Sequence, residues 1–139
     1  MSQPHVKKSL MLLSIALGGA LGTSIRYAIN VQTLTTLYPI GTVLENLLGS
    51  LLLGVVTGWA LARAINPYIK AFLATGFCGT LTTMSTLAAD TVFLAEDFSL
   101  TSSMTYVLLS VSGGLLLAFL GYAFGVGLAK SKRKEGEQT

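Results

Sequence analysis

Four long apolar runs, separated by short polar segments, decide what this chain can fold into. Each run reaches or exceeds the roughly 20 residues that an α-helix needs to cross the hydrocarbon core of a bilayer. Only 11% of the 139 residues are charged, against about a quarter in soluble domains, so lipid must surround the chain. We predict an all-α membrane domain over residues 10–128, flanked by polar tails at 1–9 and 129–139, with spans at 10–29, 41–62, 68–94 and 102–128.

The third apolar run is interrupted at its centre by the sequence Gly76-Phe77-Cys78-Gly79-Thr80-Leu81-Thr82-Thr83-Met84-Ser85-Thr86-Leu87. Threonine is β-branched and glycine is flexible, so this mixture disfavours a straight helix. In a membrane, irregular backbone is tolerated only where protein buries it or where it lines a watery cavity. Such breaks are usual places for ion or substrate sites. We predict that the third helix is broken here and that the break is the functional centre.

Small residues recur every four positions on the first two spans. Gly18, Gly22 and Arg26 share one face of the first span, and small residues on such a face let another helix approach closely. Arg26 either has a role on this face or is an interfacial anchor that snorkels to water. The second span carries a stripe of small and polar residues four positions apart, formed by Asn46, Ser50, Gly54 and Gly58. The amide of Asn46 needs hydrogen-bond partners if it is buried there.

The basic residues lie almost entirely on one side of the membrane. With four spans, both termini and the loop after the second span share a side, and residues 30–39 form a loop on the other. Eight of the nine basic residues fall on the side of the termini, whereas Arg26 lies opposite. Because cytoplasmic loops are enriched in lysine and arginine, we predict that both termini are cytoplasmic. The eight residues are Lys7, Lys8, Arg63, Lys70, Lys130, Lys132, Arg133 and Lys134.

The polar groups of the spans exclude most kinds of chemistry. Cys78 is the only cysteine and His5 the only histidine, and because no nucleophile stands beside a base we expect no enzyme. The basic residues form no nucleic-acid patch. Glu45 and Asp90, the acids within the spans, lie toward span ends. Glu45 could meet the positive N-terminal end of its helix or snorkel into the headgroups, and a role near an ion path is the further alternative. A small multidrug transporter is disfavoured because it needs an acid embedded in the bilayer, usually in the first span.

The remaining polar groups suit ions. Hydroxyl and amide groups donate hydrogen bonds to an anion without holding it too tightly for conduction, and carbonyls exposed by a broken helix suit a hard cation such as sodium. Three segments together resemble the small fluoride channels of the Fluc or CrcB family. These segments are the break at 76–87, the Gly-Thr-x-x-x-Asn-x-x-Gly-Ser pattern at 41–50, and the glycine–arginine signature at 18–27.

The resemblance implies an antiparallel, dual-topology dimer of four-helix subunits, with two fluoride pores along the subunit interface. It implies passive export of cytoplasmic fluoride, and hence fluoride resistance, in the cell membrane of a bacterium or archaeon. A structural sodium ion at the dimer centre would be held by the main-chain carbonyls of Gly79 and Thr82. Arg26 would lie in a vestibule. The positions that would line the ion path are Asn46, Met84, Ser85, Thr86, Leu87, Tyr106 and Ser110.

The chain also departs from the family pattern. Met84 and Leu87 stand where the family has two phenylalanines, whose electropositive ring edges would contact fluoride, and Thr80 stands where the family often has a glycine. Gly114 and Ala118 replace further hydroxyl positions of the polar track. Since the strong charge bias opposes insertion in both orientations, we favour a heterodimer with an oppositely oriented homologue. A homodimer that tolerates both substitutions and a structural, non-conducting subunit are the alternatives.

Overall fold

A computed structural model describes the backbone of residues 7–136 and the side chains through Ser131. The predicted N-terminal tail falls largely outside the described residues, as does the end of the C-terminal tail. In the described part every regular element is a helix, and four segments are long and apolar enough to cross a membrane. They are α1 (Lys8–Thr33), α2 (Ile40–Ala62), the third span (Pro67–Asp97) and the part of α6 (Leu100–Gly136) from Leu100 to Ser131. The prediction of four spans is therefore confirmed.

The third span consists of several pieces, as its sequence predicts. It starts with α3 (Pro67–Lys70), where the Asn66 side chain accepts a hydrogen bond from the Tyr68 N–H at 2.9 Å. A π-helix follows (Ala71–Cys78), then the short α4 (Gly79–Leu81) and finally α5 (Met84–Asp97). Between α4 and α5 the backbone of Thr82 and Thr83 is extended. The helix is thus broken inside the segment where glycine and threonine predict a break.

Glycines bring the helices into two closely packed pairs. In the first pair, α2 packs against α6, and a Cβ on Gly54 would overlap the carbonyl of Ala118. In the second pair, α1 packs against the π-helix, and a Cβ on Gly18 would overlap the backbone of Phe72. The glycines of these stripes therefore allow backbone-to-backbone approach, which is a common way for helices to associate in lipid.

The largest differences from the sequence-based boundaries are at the C-terminal ends of α1 and α6. Residues 30–33 belong to α1 rather than to a loop, and within this helix Asn30 and Thr33 donate side-chain hydrogen bonds to the carbonyls of Arg26 and Ile29 one turn earlier. These bonds let polar residues remain in the helix. At the other end of the chain, α6 continues to Gly136, so the first part of the predicted C-terminal tail is helical.

The distribution of polarity suits a protein surrounded by lipid. Many large apolar side chains point outward, whereas several fully or nearly buried side chains are polar. Polar residues within spans commonly face the protein interior, where they find hydrogen-bond partners. The buried polar set comprises Thr42, Glu45, Thr83, Ser103 and Ser110.

Candidate functional site at the helix break

The side chain of Asn46 holds the backbone of the break. Its Oδ1 accepts a hydrogen bond from the Thr83 N–H at 2.8 Å, and its Nδ2 donates to the Thr83 carbonyl at 3.1 Å. Asn46 thus meets both backbone polar groups of one extended residue, as a neighbouring β-strand would. The amide that the sequence places on the second span therefore has a structural role at the break. Its predicted role in an ion path remains a prediction.

The hydroxyl of Thr83 begins the second half of the broken helix. As the N-cap of α5, its Oγ1 accepts a hydrogen bond from the Thr86 N–H at 3.2 Å. The same oxygen lies 3.0 Å from the hydroxyl of Thr86 and 3.3 Å from that of Ser85. An N-cap of this kind satisfies one of the backbone donors that a helix leaves unpaired at its start. The hydroxyl-rich sequence therefore restarts the helix directly after the break.

These two contacts redirect the hydrogen bonds that a continuous helix would make. In an uninterrupted α-helix, the Thr83 N–H would donate to the Gly79 carbonyl and the Thr86 N–H to the Thr82 carbonyl. Here they donate to Asn46 and to the Thr83 side chain instead. The break consequently releases the carbonyls of Gly79 and Thr82, the two that the family resemblance implies as cation ligands. Gly79 is also exposed, and the nearest atom to a Cβ built there is 3.8 Å away.

A groove of about 470 Å³ opens beside the break between α2, α5 and α6. Four of the predicted path residues line it, namely Asn46, Met84, Leu87 and Ser110. Ser110 is only 4% exposed, and its Oγ has no hydrogen-bond partner among the described residues. Its hydroxyl is thus a donor available to a ligand in the groove. The groove is open along one side, so this chain alone does not enclose it.

Met84 and Leu87 differ sharply in exposure although both line the groove. Met84 is 75% exposed and projects from the first turn of α5. Leu87 is 5% exposed and packs in a small core with Leu94 and Tyr106. One of the two positions that carry phenylalanine in the resembling family therefore points away from the protomer, while the other forms part of its interior.

The other predicted path and vestibule residues do not line this groove. Thr86 lines a second, smaller cavity of about 190 Å³ together with Asp90 and Tyr38. Tyr106 donates a hydrogen bond to Asp90 at 2.8 Å and packs edge-to-face against Tyr38, with ring centroids 6.1 Å apart. Ser85 is exposed, and Arg26 is half-buried on α1. The structure thus places Thr86 and Tyr106 in a second polar cluster, whereas Ser85 and Arg26 line neither cavity.

Sequence reasoning missed one partner in this region. Glu45 is fully buried rather than snorkelling into the headgroups, and its Oε1 accepts a hydrogen bond from Asn30 Nδ2 at 2.7 Å. Asn30 was expected in a loop. The available signal was its spacing, since Asn30 continues the four-residue repeat of Gly18, Gly22 and Arg26 on one face of α1.

Comparison with known proteins agrees on one family. Residues 13–122 match the family model described as CrcB-like protein, Camphor Resistance (CrcB). The chain is 45% identical to "Fluoride-specific ion channel FluC 2" of Halalkalibacterium halodurans, over 89% of this chain and 92% of the relative. It is 40% identical to "Fluoride-specific ion channel FluC 2" of Bacillus subtilis, over 90% of this chain and 95% of that relative. It is 34% identical to "Fluoride-specific ion channel FluC" of Shewanella piezotolerans, over 79% of this chain and 91% of that relative.

Proposed function

Because this chain belongs to the CrcB family, we propose that it is a subunit of a fluoride-specific channel that lets cytoplasmic fluoride leave the cell passively. The observation that carries the proposal is the groove at the helix break, where Asn46 and the unpartnered Ser110 hydroxyl stand together. The relatives are named as ion channels, in line with the expectation that the chain is not an enzyme. The four apolar helices make it a multi-pass membrane protein.

The groove can offer hydrogen-bond donors to an anion without a fixed positive charge. The Ser110 hydroxyl is one donor, and the backbone N–H groups of Met84 and Ser85 lie at the start of α5. A helix N-terminus favours negative charge because its backbone donors and its dipole both point toward the ligand. Such donors stabilise a dehydrated fluoride yet release it readily, which conduction requires.

A second subunit would close the groove. One side is open, and Met84 projects outward beside it, so a facing subunit can supply the missing wall while receiving the Met84 side chain. We propose an antiparallel dimer with the ion paths along the subunit interface. In this arrangement Arg26, Thr86 and Tyr106 lie toward the mouth of a path, and Asn46, Met84, Leu87 and Ser110 lie along it.

The carbonyls of Gly79 and Thr82 fit a monovalent cation. Both are released from helical hydrogen bonding, and oxygen ligands are those that a hard cation prefers. We propose that they hold a structural sodium ion together with the same pair of a second subunit. When bound, the ion supplies a positive charge at the dimer centre.

The charge bias favours a heterodimer over a homodimer. Eight of nine basic residues lie on the side of the termini, so by the positive-inside rule this chain inserts into the bacterial or archaeal cell membrane with both termini in the cytoplasm. An antiparallel partner must then be a homologue of opposite bias. A homodimer requires some copies to insert against this bias.

Fluoride efflux from liposomes tests these proposals. We expect efflux when this chain is reconstituted with a homologue whose basic residues lie on the opposite side, and little or none from either chain alone. Strong efflux from this chain alone would replace the heterodimer with a homodimer. If the partner alone conducts as well as the pair, this chain is a structural, non-conducting subunit. That is the second candidate function, and it is favoured by Met84 and Leu87 at the positions where the family has phenylalanine.

A further inference from the structure

Glu45 is a buried acid, and one of its carboxyl oxygens is unpaired in the part of the chain that the structure describes. The residue lies on α2 next to Asn46 and is 0% exposed. Its Oε1 accepts the Asn30 hydrogen bond at 2.7 Å, whereas Oε2 is buried without a hydrogen-bond partner among the described residues. Asn30 cannot serve Oε2 as well, because its Nδ2 also donates to the Arg26 carbonyl at 3.1 Å. Both amide hydrogens are therefore in use.

Two charged groups on neighbouring helices act on Glu45, and two tyrosines adjoin one of these groups. Arg26 on α1 attracts a negative charge at Glu45, and Asp90 on α5 repels one. Tyr106 on α6 donates its hydroxyl hydrogen to Asp90, and Tyr38 packs against the Tyr106 ring. No donor reaches Oε2 within the described part of the chain, so Arg26 acts only at a distance and Asp90 opposes it.

We propose that Glu45 is a proton-binding site and that the channel conducts with this carboxyl in its neutral form. Burying an ionised carboxylate with one oxygen unpaired is far more costly than burying the neutral acid. In the neutral form, the oxygen bonded to Asn30 is the carbonyl oxygen and Oε2 carries the proton. The ligand of this site is thus a proton, and neither a metal nor a lipid is needed.

The site has a consequence for conduction, which rests on the proposed function. Glu45 directly precedes Asn46, whose side chain lines the groove. An ionised Glu45 would place a full negative charge in a poorly screened part of the bilayer next to an anion path, and like charges repel strongly there. We expect fluoride efflux to fall several-fold as alkaline buffer removes the proton.

Infrared spectroscopy of the reconstituted protein tests the site without relying on conduction. We expect the carbonyl band of a protonated carboxylic acid in neutral buffer, shifted when the protein contains ¹³C-glutamate, and lost in alkaline buffer. The band should be absent from Glu45→Gln and retained in Asp90→Asn, the matched control. Because the labelled wild-type protein is measured directly, the test does not depend on whether Glu45→Gln folds. A wild-type protein without this band at neutral pH would overturn the proposal.

Efflux measurements then test the link to conduction. The wild-type pair should lose efflux over the same pH interval in which the infrared band disappears, and the Glu45→Gln pair should show no loss there. Wild-type efflux that is constant through that interval would overturn the link. If no preparation conducts at any pH, the proposed function fails, while the infrared result still decides whether Glu45 binds a proton.

Discussion

The amide of Asn46 pairs with both the N–H and the carbonyl of Thr83, at 2.8 and 3.1 Å, in the middle of a membrane-spanning segment. A backbone that leaves helical geometry in lipid must find partners for these groups, since each unsatisfied group costs several kcal/mol. One side chain from α2 meets this need. The break in the third span is therefore a tertiary feature, formed jointly by two helices.

Asn46→Asp should destabilise the break. Aspartate can still accept from the Thr83 N–H, but its second oxygen faces the Thr83 carbonyl, so a hydrogen bond becomes a contact between two acceptors. We expect a loss of about 1–3 kcal/mol in the free energy of unfolding and a loss of efflux, measured by denaturation and in liposomes.

Asn66→Asp is the matched control for this substitution. The Asn66 side chain only accepts, from the Tyr68 N–H, so aspartate preserves its contact. Equal effects of the two substitutions on stability and efflux would contradict the role assigned to Asn46.

Removing the Thr83 hydroxyl should weaken the start of α5. Thr83→Val keeps the shape of the side chain but removes the cap on the Thr86 N–H and the contacts to the hydroxyls of Ser85 and Thr86. We expect a loss of about 1 kcal/mol, seen as a lower melting temperature. Thr83→Ser retains the hydroxyl and should melt near the wild-type temperature. If both variants melt alike, the capping bond contributes nothing to stability.

Gly54→Ala should disrupt the packing of α2 against α6. A methyl group there would overlap the Ala118 carbonyl, which belongs to backbone and cannot rotate away. Overpacking of this kind costs about 1–3 kcal/mol, so we expect a lower melting temperature and aggregation in size-exclusion chromatography. Gly127→Ala is the control, because no atom lies within 4 Å of a Cβ at that position among the described residues. If Gly54→Ala instead elutes and melts like the wild-type protein, α2 and α6 are packed less closely at this position than the structure shows.

Met84→Phe should raise fluoride efflux through the channel. The exposed Met84 offers a soft thioether, whereas a phenylalanine presents an electropositive ring edge to an anion. We expect a several-fold increase in liposome efflux when the variant replaces the wild-type chain. The control is Met104→Phe, which changes an exposed methionine on a different helix, α6. This substitution should leave efflux unchanged. Equal efflux from well-folded Met84→Phe and wild-type protein would place residue 84 outside the ion path.

The spans and the break follow from the sequence because their causes are local. Apolar run length decides where a helix can cross the bilayer, and glycine beside threonine decides where a helix is weak. The glycine stripes could be predicted for the same reason, since Gly18 and Gly54 need only their spacing to show a close-packing face. These elements match the structure closely.

The site could be predicted only in part, because its geometry depends on contacts between helices. Asn30 looks like a loop residue until Glu45 and the Arg26 carbonyl provide its partners. Spacing alone places Met84 and Leu87 on neighbouring parts of one helix face. The extended Thr83 backbone instead makes Met84 the first residue of α5, where no preceding turn covers it. Pairwise contacts of this kind leave no periodic pattern in the sequence.

The bond between Asn46 and Thr83 also has a consequence for biosynthesis. The ribosome makes α2 before the third span, so Asn46 emerges before the segment around Thr83. The broken conformation can then be selected as the third span enters, because its template precedes it along the chain. If the order of these helices were reversed by circular permutation, the glycine–threonine segment would reach the lipid with no template to receive it.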